Sequence, residues 1–361
     1  MSVVENQELC TLDEAMPWIQ PQHSREDVDA AGRILETSFV PSDDLDQALS
    51  VINNWRASHH FPLNTFRTNL RRKAAVFTDA VIAQRVKRLR AIQHKLRKHT
   101  KTPIALSQMQ DIGGCRAVVK NQAQVAELHQ AFLESDIKHI LVREDDYIIR
   151  PKFSGYRGIH LVYDYESDRK GTYNGLKIEI QIRTQLQHAW ATAVEIVGFF
   201  RRELLKSSEG DHIWKHFFKL MAAEICFEEK TGLGIPDIPN NRDQLRDQLR
   251  RCATKLDAIN YLGTIGKGVA NLIEVETKDA HYFLMELDTS KKQLRITGFT
   301  LSARQKATMD YAEVERAVFG SEEHDAVLVS AESMADLRRA YINYFLDMHS
   351  FIKLVETATT T

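Results

Sequence analysis

Cysteine is scarce in this chain, and its few copies stand far apart. The 361 residues include four cysteines and no CxxC pair; they are Cys10, Cys115, Cys226 and Cys252. Structural zinc sites and disulfide frameworks both need closely spaced cysteines or histidines. We therefore expect neither, and the scattered thiols favour a reducing compartment.

Long apolar runs and an excess of one charge are also missing. No apolar stretch approaches the roughly 20 residues of a transmembrane helix, and the N-terminal residues lack the apolar core of a signal peptide. The formal net charge is −1, so the chain as a whole lacks the strong field of a basic nucleic-acid-binding protein. We expect a cytoplasmic protein without a membrane segment.

The positive charge is concentrated in one segment. Between Arg67 and Lys101 the chain has twelve Lys or Arg residues and a single acidic residue, Asp79. Exposed basic helices usually carry acidic partners three or four positions away, and here these are missing. The segment is therefore either a solvated basic surface or a site for an anionic ligand.

The strand predicted at positions 176–183 organises the rest of the chain. Leucine and isoleucine alternate there with Glu179, Gln181 and Arg183 among other polar residues. Because side chains of a strand point alternately to opposite faces, the polar residues must share one face. Such a row is either a solvated surface or a functional site. The turn at 152–158 adds Tyr156 and two cations, Lys152 and Arg157, which favours a site.

The hydrophobic periodicity predicts helices first and mixed structure afterwards. Helices are expected through most of the first hundred residues, the last of them from Asp79 to His99. Strands are expected at 117–119, 137–142, 159–165 and 176–183. After the glycines at 263–268 we expect strands at 271–276, 281–288, 293–300 and 326–330. Long helices are predicted over 240–262 and 333–355.

This order predicts an α+β protein with four parts. They are N-terminal helices that form a cap (1–100), a core with a mixed β-sheet (101–235), a connecting helix (236–265) and a small C-terminal α+β domain (266–361).

Four sequence blocks resemble, in this order, the synthetase domain of RelA/SpoT homologues. They are RVKRLRAIQHKLRK (85–98), DIGGCRAVV (111–119), PKFSGYRGIH (151–160) and EIQIRTQLQHAWATAVE (179–195). Four blocks in the right order are far more specific than one. The family has a nucleotidyltransferase-like core and moves pyrophosphate from ATP to a ribose hydroxyl. The resemblance implies an ATP-dependent pyrophosphokinase that uses Mg²⁺.

The resemblance also implies roles for individual residues. The expected catalytic residues are Asp111, Glu179 and Tyr156, and the first two are also the expected Mg²⁺ ligands. The expected ATP-binding residues are Arg85, Lys87, Lys95, Arg97 and Arg116, which we place mostly on the helix over 79–99. The expected acceptor-binding residues are Lys152, Tyr156, His160 and Gln181. From the residues alone, an Asp before two glycines is more often a turn residue, and a lone His is more often structural.

Two acceptors are compatible with these blocks. One is GDP or GTP, which would make the chain a guanosine alarmone synthetase. The other is the 3′-hydroxyl of the tRNA CCA end. The basic run at 67–73 favours tRNA, because Arg71, Arg72 and Lys73 lie outside the ATP block and a free nucleotide needs no such surface. A third hypothesis is a catalytically inactive sensor or scaffold.

The C-terminal extension resembles the fused toxin–antitoxin branch of the family, the phage-capsid-sensing CapRel type. Its only His-Asp pair, His324 and Asp325, has no partner ligands for the metal site of a hydrolase half. In that branch the C-terminal domain is a pseudo-zinc-finger, and a Tyr-x-x-Tyr pair closes the ATP site. Tyr341 and Tyr344 match this pair, although tyrosines at this spacing often simply share a buried helical face. The resemblance implies an autoinhibited monomer that a phage capsid protein releases to inhibit translation.

Overall fold

The computed structural model of the chain describes residues 18–37, 42–98, 103–201, 212–276, 278–321 and 323–360. Within these ranges the protein has the predicted α+β composition and a mixed sheet. Among the described residues, three helices precede the first strand: α1 (Arg25–Glu36), α2 (Ser42–Ser58) and α3 (His60–Ala74). A capping box at Ser24 and Asp27 begins α1.

Strands and helices alternate in the middle of the chain. These elements are β1 (Val81–Val86), α4 (Leu89–Lys98), β2 (Gly113–Val119), α5 (Gln122–Leu133), β3 (Ile140–Asp146), β4 (Ile159–Asp164), β5 (Lys177–Thr184), α6 (Gln185–Phe200) and α7 (His212–Glu229). The elements that follow are α8 (Arg242–Leu256), α9 (Ala258–Ile265), β6 (Asn271–Val275), β7 (Tyr282–Asp288), β8 (Gln293–Phe299), α10 (Arg304–Ala317), β9 (His324–Ser330), α11 (Met334–Ala340) and α12 (His349–Thr360).

The described strands form one sheet in the order β3-β4-β5-β2-β1-β9-β7-β8-β6. Neighbouring strands are antiparallel except for the pairs β2–β5 and β6–β8, which are parallel. β1 and β9 are joined by two residue pairs, Gln84 with Ser330 and Arg85 with Val329. The sheet therefore continues across the boundary predicted at 266, and the four-part division of the chain stays a prediction.

Helices cover both faces of the sheet. On one face the isoleucines of β5 pack with residues from helices α1 to α5 and from α10. On the other face apolar residues of β7 and β9 pack with helices α6 to α9 and α12. The second face includes the polar row of β5, so it is the face on which a polar site can lie.

The prediction of a helix from Asp79 to His99 is wrong for the first half of this segment. Residues Val81–Val86 form strand β1, and helix α4 begins only at Leu89. The spacing of the apolar residues in this segment fits both a helix and a strand. The segment forms a strand because it pairs with β2 in antiparallel orientation. Arg85 is therefore a strand residue, and His99 lies outside the described residues.

Two other long helices are interrupted. The helix predicted over 240–262 breaks at Asp257, whose φ of 47° and ψ of 44° end α8 and begin α9. The helix predicted over 333–355 is replaced by α11, a turn with Leu346 at φ 52°, and α12. The strand predicted at 137–142 is shifted and runs instead from Ile140 to Asp146.

The described cysteines, Cys115, Cys226 and Cys252, are buried thiols, and Cys10 lies outside the described residues. Among the residues that the structure describes, no helix has the length and apolar character needed to cross a membrane.

Candidate active site

Strand β5 separates apolar and polar residues onto the two faces of the sheet. Ile178, Ile180 and Ile182 are fully buried on the face covered by the N-terminal helices. Glu179 and Gln181 point to the other face and line a cavity. The predicted alternation is confirmed, and the polar row belongs to a cavity instead of an open surface.

This cavity has a volume of about 260 Å³. Strands β1, β2, β4 and β5, helix α6 and the segment after α11 contribute to its wall. The predicted site residues that line it are Arg85, Lys87, Asp111, Arg116, Lys152, Tyr156, His160, Glu179, Gln181 and Tyr341. Parallel pairing of β2 with β5 puts Gly114 beside Glu179 and Arg116 beside Gln181, which brings the second and fourth sequence blocks together.

Asp111 is held between two lysines. Lys87 Nζ donates to its Oδ2 at 2.6 Å, and Lys95 Nζ donates to its Oδ1 at 2.8 Å. Burial alone would raise the pKa of Asp111, but the two ammonium groups outweigh burial and hold that pKa well below its usual range. Asp111 is therefore ionised at neutral pH and fixes both lysines beside the cavity.

A chain of hydrogen bonds joins Tyr156, His160, Glu179 and Gln181. Tyr156 Oη lies 2.5 Å from His160 Nε2, and His160 Nδ1 lies 2.8 Å from Glu179 Oε1. Gln181 Nε2 donates to Glu179 Oε2 at 2.6 Å. Burial would raise the pKa of Glu179, but the charge and hydrogen bond of His160, helped by Gln181, lower it to about 2 against the repulsion of Asp111.

Arginines crowd together beside Gln181. Arg183 Nη2 donates to Gln181 Oε1 at 2.7 Å, and Arg116 Nε donates to the same oxygen at 3.3 Å. Burial, together with repulsion from Arg183 and Arg85, lowers the pKa of Arg116 to about 9. An anion in the cavity would relieve this repulsion, so the arrangement is suited to a phosphate group.

The turn residues Lys152 and Tyr156 pack together at the mouth of β4. Lys152 Nζ lies 4.3 Å from the centre of the Tyr147 ring and 5.1 Å from the centre of the Tyr156 ring. Tyr156 is only 7% exposed, and Arg183 lies 4.9 Å from its ring. Tyr156 is thus a packed residue and a lining residue at once.

Some predicted site residues lie away from this cavity. Arg97 is exposed, and its Nε donates to the backbone oxygen of Glu36 at 3.0 Å. Lys95 reaches the site only through Asp111. The three residues predicted to bind tRNA lie at the end of α3: Arg71 and Arg72 are exposed, and Lys73 Nζ donates to the Ala131 backbone oxygen at 2.6 Å.

The two tyrosines of the predicted autoinhibitory pair have different positions. Tyr341 lines the main cavity, and its hydroxyl donates to the Gln84 backbone oxygen at 2.7 Å. Tyr344 lines a separate cavity of about 60 Å³, and its hydroxyl accepts from Arg88 at 2.8 Å. α11 ends at Ala340, so the pair does not lie on one continuous helix.

Several lining residues were not predicted as site residues. Arg183 shares the polar face of β5 with Glu179 and Gln181, so the strand pattern already pointed to it. His188, Thr192 and Glu195 follow each other at helical spacing on α6 and line the same cavity. Gln84 and Asn343 also line it, and nothing in the local sequence marks either one.

The residues present are compatible with Mg²⁺ if their current partners move. Mg²⁺ prefers one or two carboxylates, with phosphate oxygens and water completing its shell. Asp111 and Glu179 supply two carboxylates on one cavity, although Lys87, Lys95, His160 and Gln181 occupy their oxygens. Among the described residues there is no group of three or more His, Cys, Asp or Glu placed to hold a metal ion.

Part of the chain resembles known proteins. The GTP pyrophosphokinase YjbM of Bacillus subtilis (strain 168) is 33% identical over 113 residues, which make up 31% of this chain and 52% of that protein. The match thus spans about half the length of this curated relative.

Solved structures of similar proteins cover about half of the chain. One is the small alarmone synthetase 1 of Bacillus subtilis bound to its product pppGpp, with a TM-score of 0.41, 22% identity and coverage of 48% of this chain and 89% of that one. Another is a GTP pyrophosphokinase family protein from Streptococcus pneumoniae, with a TM-score of 0.40, 23% identity and coverage of 47% and 84%.

The family resemblance is also found directly. Residues 84–197 match the family described as a region found in RelA / SpoT proteins. This range contains most of the residues that line the main cavity, whereas Ala83, Tyr341 and Asn343 lie outside it. Most of the candidate active site therefore lies in a segment that is similar to the region found in RelA / SpoT proteins.

Proposed function

We propose that the chain transfers pyrophosphate from ATP to a ribose hydroxyl. One observation carries the proposal: Asp111 and Glu179 line the same cavity as a group of lysines and arginines. In the reaction the hydroxyl oxygen bonds to the β-phosphorus of ATP, the bond from that phosphorus to the α-phosphate breaks, and AMP leaves. The hydroxyl proton is released to solvent.

The cations act on the ATP side. Phosphoryl transfer depends mainly on positioning and on stabilising the negative charge of the transferred group. Lys87 and Lys95, which contact Asp111 in the present structure, supply that charge, and Arg85 and Arg116 flank the adenine. Mg²⁺, when bound by Asp111 and Glu179, neutralises further charge on the triphosphate.

Glu179 acts on the acceptor side. A carboxylate with a pKa of about 2 is a weak base, so Glu179 orients the acceptor hydroxyl by accepting its hydrogen bond. His160 and Gln181 hold Glu179 in place through its two oxygens. Tyr156 and Lys152 supply a ring and a cation for the acceptor nucleotide.

The proposed acceptor is the 3′-hydroxyl of the tRNA CCA end, whose modification would block aminoacylation and inhibit translation. Exposed Arg71 and Arg72 at the end of α3, with Lys73 beside them, favour an RNA partner. Arg71 forms an ion pair with Glu332, so a C-terminal residue partly neutralises this surface.

Two alternative functions remain. The first is transfer to GDP or GTP, and it is favoured by the similarity to a protein named GTP pyrophosphokinase. The second is a catalytically inactive sensor or scaffold, and the clustered carboxylates and cations argue against it.

We further propose that the chain is a monomer that is held inactive until a phage capsid protein binds it. Ligand cavities commonly measure about 300–1,000 Å³, so about 260 Å³ is small for a site that must hold ATP and an acceptor. Tyr341 lines this space. A trigger opens the site only to the extent that it binds the open form more tightly than the closed one.

Incubation with γ-labelled ATP and either GDP, GTP or bulk tRNA tests these functions. The natural chain and a Tyr341→Ala variant are compared, since the variant removes the ring from the cavity. Label in tRNA supports the proposal, label in a guanosine nucleotide selects the alternative, and no label with the open variant points to an inactive scaffold. Asp111→Asn serves as the control and should lose about 10²–10³-fold in rate.

A further inference from the structure

A second cavity lies beside the candidate active site and is not used by the reaction described above. Its volume is about 360 Å³, within the usual range for ligand sites. It is lined mainly by apolar atoms from the turn after β3 and from helices α6 and α7. The residues that line it include Phe153, Ser154, Lys215, Lys219 and Asp237.

The turn at residues 152–155 separates the two cavities. Its Gly155 N–H donates to the Lys152 backbone oxygen at 2.8 Å, which makes Phe153 and Ser154 the central residues of a β-turn. Lys152 lines the main cavity, and the next residue, Phe153, lines the second one. Consecutive Cα atoms are about 3.8 Å apart, so the two cavities are close neighbours.

Helix α7 fixes this turn. Gly155 has φ 91°, and a Cβ atom there would lie 2.7 Å from the Cβ of Ala222, so the turn backbone touches the helix. Lys219 Nζ from the same helix lies 3.2 Å from the centre of the Phe153 ring. The position of Phe153 relative to the acceptor side is therefore set by packing.

The chemistry of the second cavity suits a nucleobase with its phosphate. Phe153 is 57% exposed, although large aromatic side chains are normally buried. Exposed aromatic rings next to cations are the common platform for single-stranded nucleic acid. Lys215 and Lys219 line the cavity against one carboxylate, Asp237. Ser154 also lines this cavity, and its buried hydroxyl has no hydrogen-bond partner among the described residues.

We propose that the second cavity binds the nucleotide that precedes the acceptor nucleotide in a single-stranded RNA 3′ end. This inference rests on the proposed function, because the acceptor ribose must be bound in the main cavity. A free GDP or GTP has one base and cannot occupy both cavities, whereas an RNA end has a second base within reach. The base stacks on Phe153, and Lys219 binds the adjoining phosphate.

Transfer kinetics in the Tyr341→Ala background test the subsite. Phe153→Ala should raise the KM for tRNA about tenfold and leave the KM for ATP unchanged, because one base loses its stacking partner. Met309→Ala, which truncates a similarly exposed side chain on α10, is the control. An unchanged KM for tRNA in Phe153→Ala would overturn the subsite.

An abasic acceptor identifies the base that is bound. A tRNA with an abasic residue at the penultimate position should show the same tenfold rise with the Tyr341→Ala chain. Phe153→Ala should cause no further loss on this substrate, since the stacked base is already absent. If the abasic residue and Phe153→Ala instead raise the KM for tRNA independently, so that the two effects multiply, that base does not stack on Phe153.

Lys219→Ala tests the phosphate contact. Loss of one contact to single-stranded RNA should reduce the slope of log affinity against log salt concentration by about 0.7. Lys306→Ala on the exposed side of α10 should leave the slope unchanged. An equal slope for Lys219→Ala and its parent rules out the contact.

Binding without chemistry separates this inference from the proposed function. The probe is a fluorescein-labelled RNA hairpin with a single-stranded CCA end, followed by anisotropy. Hairpin binding that Phe153→Ala weakens about tenfold, without transfer of label to tRNA, keeps the subsite and rejects the proposed function. Transfer of label to tRNA, together with hairpin binding that Phe153→Ala does not weaken, supports the proposed function and rejects the subsite. No hairpin binding at all overturns the subsite.

Discussion

Two clusters of charged side chains join the C-terminal elements to the rest of the protein, and they differ in burial. The first, which we call the anchor cluster, consists of Arg56, Tyr311, Glu315 and the backbone N–H of Leu89. Arg56 donates to both oxygens of Glu315 at 2.5 and 3.1 Å, and Leu89 N donates to Glu315 Oε1 at 2.7 Å. The side chains of Arg56 and Glu315 are only 4% and 8% exposed.

The second cluster, which we call the plug cluster, lies on the cavity side of the sheet. It consists of Arg88, Glu195, Asp325, Asn343 and Tyr344. Arg88 forms an ion pair with Asp325 and lies 3.4 Å from Glu195, and the Tyr344 hydroxyl donates to Asp325 at 2.9 Å. The cluster surrounds a small cavity, and the Glu195 side chain is 30% exposed.

The difference shows which contact can open. Arg88 belongs to the plug cluster, and the N–H of the next residue, Leu89, belongs to the anchor cluster. The C-terminal elements therefore contact the start of α4 from both sides. Breaking a buried bidentate ion pair leaves an uncompensated charge, while a cluster beside a cavity, with the Glu195 side chain 30% exposed, can exchange some of its bonds for water. If the chain is autoinhibited as proposed, we expect activation to move the segment around Tyr341 and Tyr344 and to leave α10 docked.

The largest expected effect comes from removing the centre of the anchor cluster. Glu315→Ala leaves Arg56 buried without its counter-charge and Leu89 N–H without an acceptor. We expect a loss of about 3–5 kcal/mol in the free energy of unfolding, measured in urea. The control, Arg316→Ala on the same helix, removes an exposed ion pair with Asp46 and should cost less than about 1 kcal/mol. Equal stability of the two variants would mean that the anchor does not hold α10.

Removing the ring from the main cavity should come next in size. Tyr341→Ala deletes a buried aromatic residue and its hydrogen bond to Gln84, which destabilises the closed arrangement by about 3 kcal/mol. If that arrangement limits activity, transfer of label from ATP should rise by up to about a hundredfold without any trigger protein. Tyr261→Ala, on helix α9 away from the cavity, is the comparison. A transfer rate in Tyr341→Ala no higher than that of the natural chain would show that Tyr341 does not close the site.

The Tyr344 hydroxyl should have a smaller effect. Tyr344→Phe keeps the ring but removes bonds to Arg88 and Asp325, and hydrogen bonds to charged groups contribute about 1.5–3 kcal/mol. We expect a rise of about tenfold in transfer rate, and Tyr344→Ala should in addition stop growth of cells that express it. Adding Asp111→Asn should restore growth. Normal growth with Tyr344→Ala and an intact active site would reject autoinhibition by this residue.

Much of this arrangement was predictable because its signals are local. The strict alternation in β5 indicated both its buried face and its polar face without any other part of the chain. The short blocks around Asp111 and Tyr156 pointed to residues that meet at one cavity. Arg183 stood on the same polar face and followed from the same pattern.

The rest depends on partners far away in the chain. β1 is a strand because β2 pairs with it along its whole length, and the start of α4 is fixed by Glu315, 226 positions further on. The continuous sheet depends on the two residue pairs between β1 and β9. Asn343 lines the cavity through a turn whose shape no local propensity specifies. Such contacts leave no periodic mark in the sequence.

The smallest expected effect measures how far the plug cluster acts as a unit. Asn343 Nδ2 donates to Glu195 Oε1 at 3.1 Å, next to the contact between Glu195 and Arg88. Asn343→Ala removes this one bond, and we expect a change of about 1 kcal/mol, or a rise of about fivefold in transfer rate. Asn260→Ala, which removes an exposed bond to Asp257, should change nothing.

Combining Asn343→Ala with Tyr344→Phe then decides whether the cluster is cooperative. Independent contacts give a double variant whose rate increase is the product of the two single increases. In a shared network the rate increase of the double variant is smaller than that product, because the first substitution already loosens the groups that the second one releases. A switch needs contacts that break together, because a trigger protein then has to break only some of the contacts in the plug cluster to release the rest. Strict multiplication would instead mean that the cluster opens one bond at a time, and that the closed state is held mainly by the ring of Tyr341.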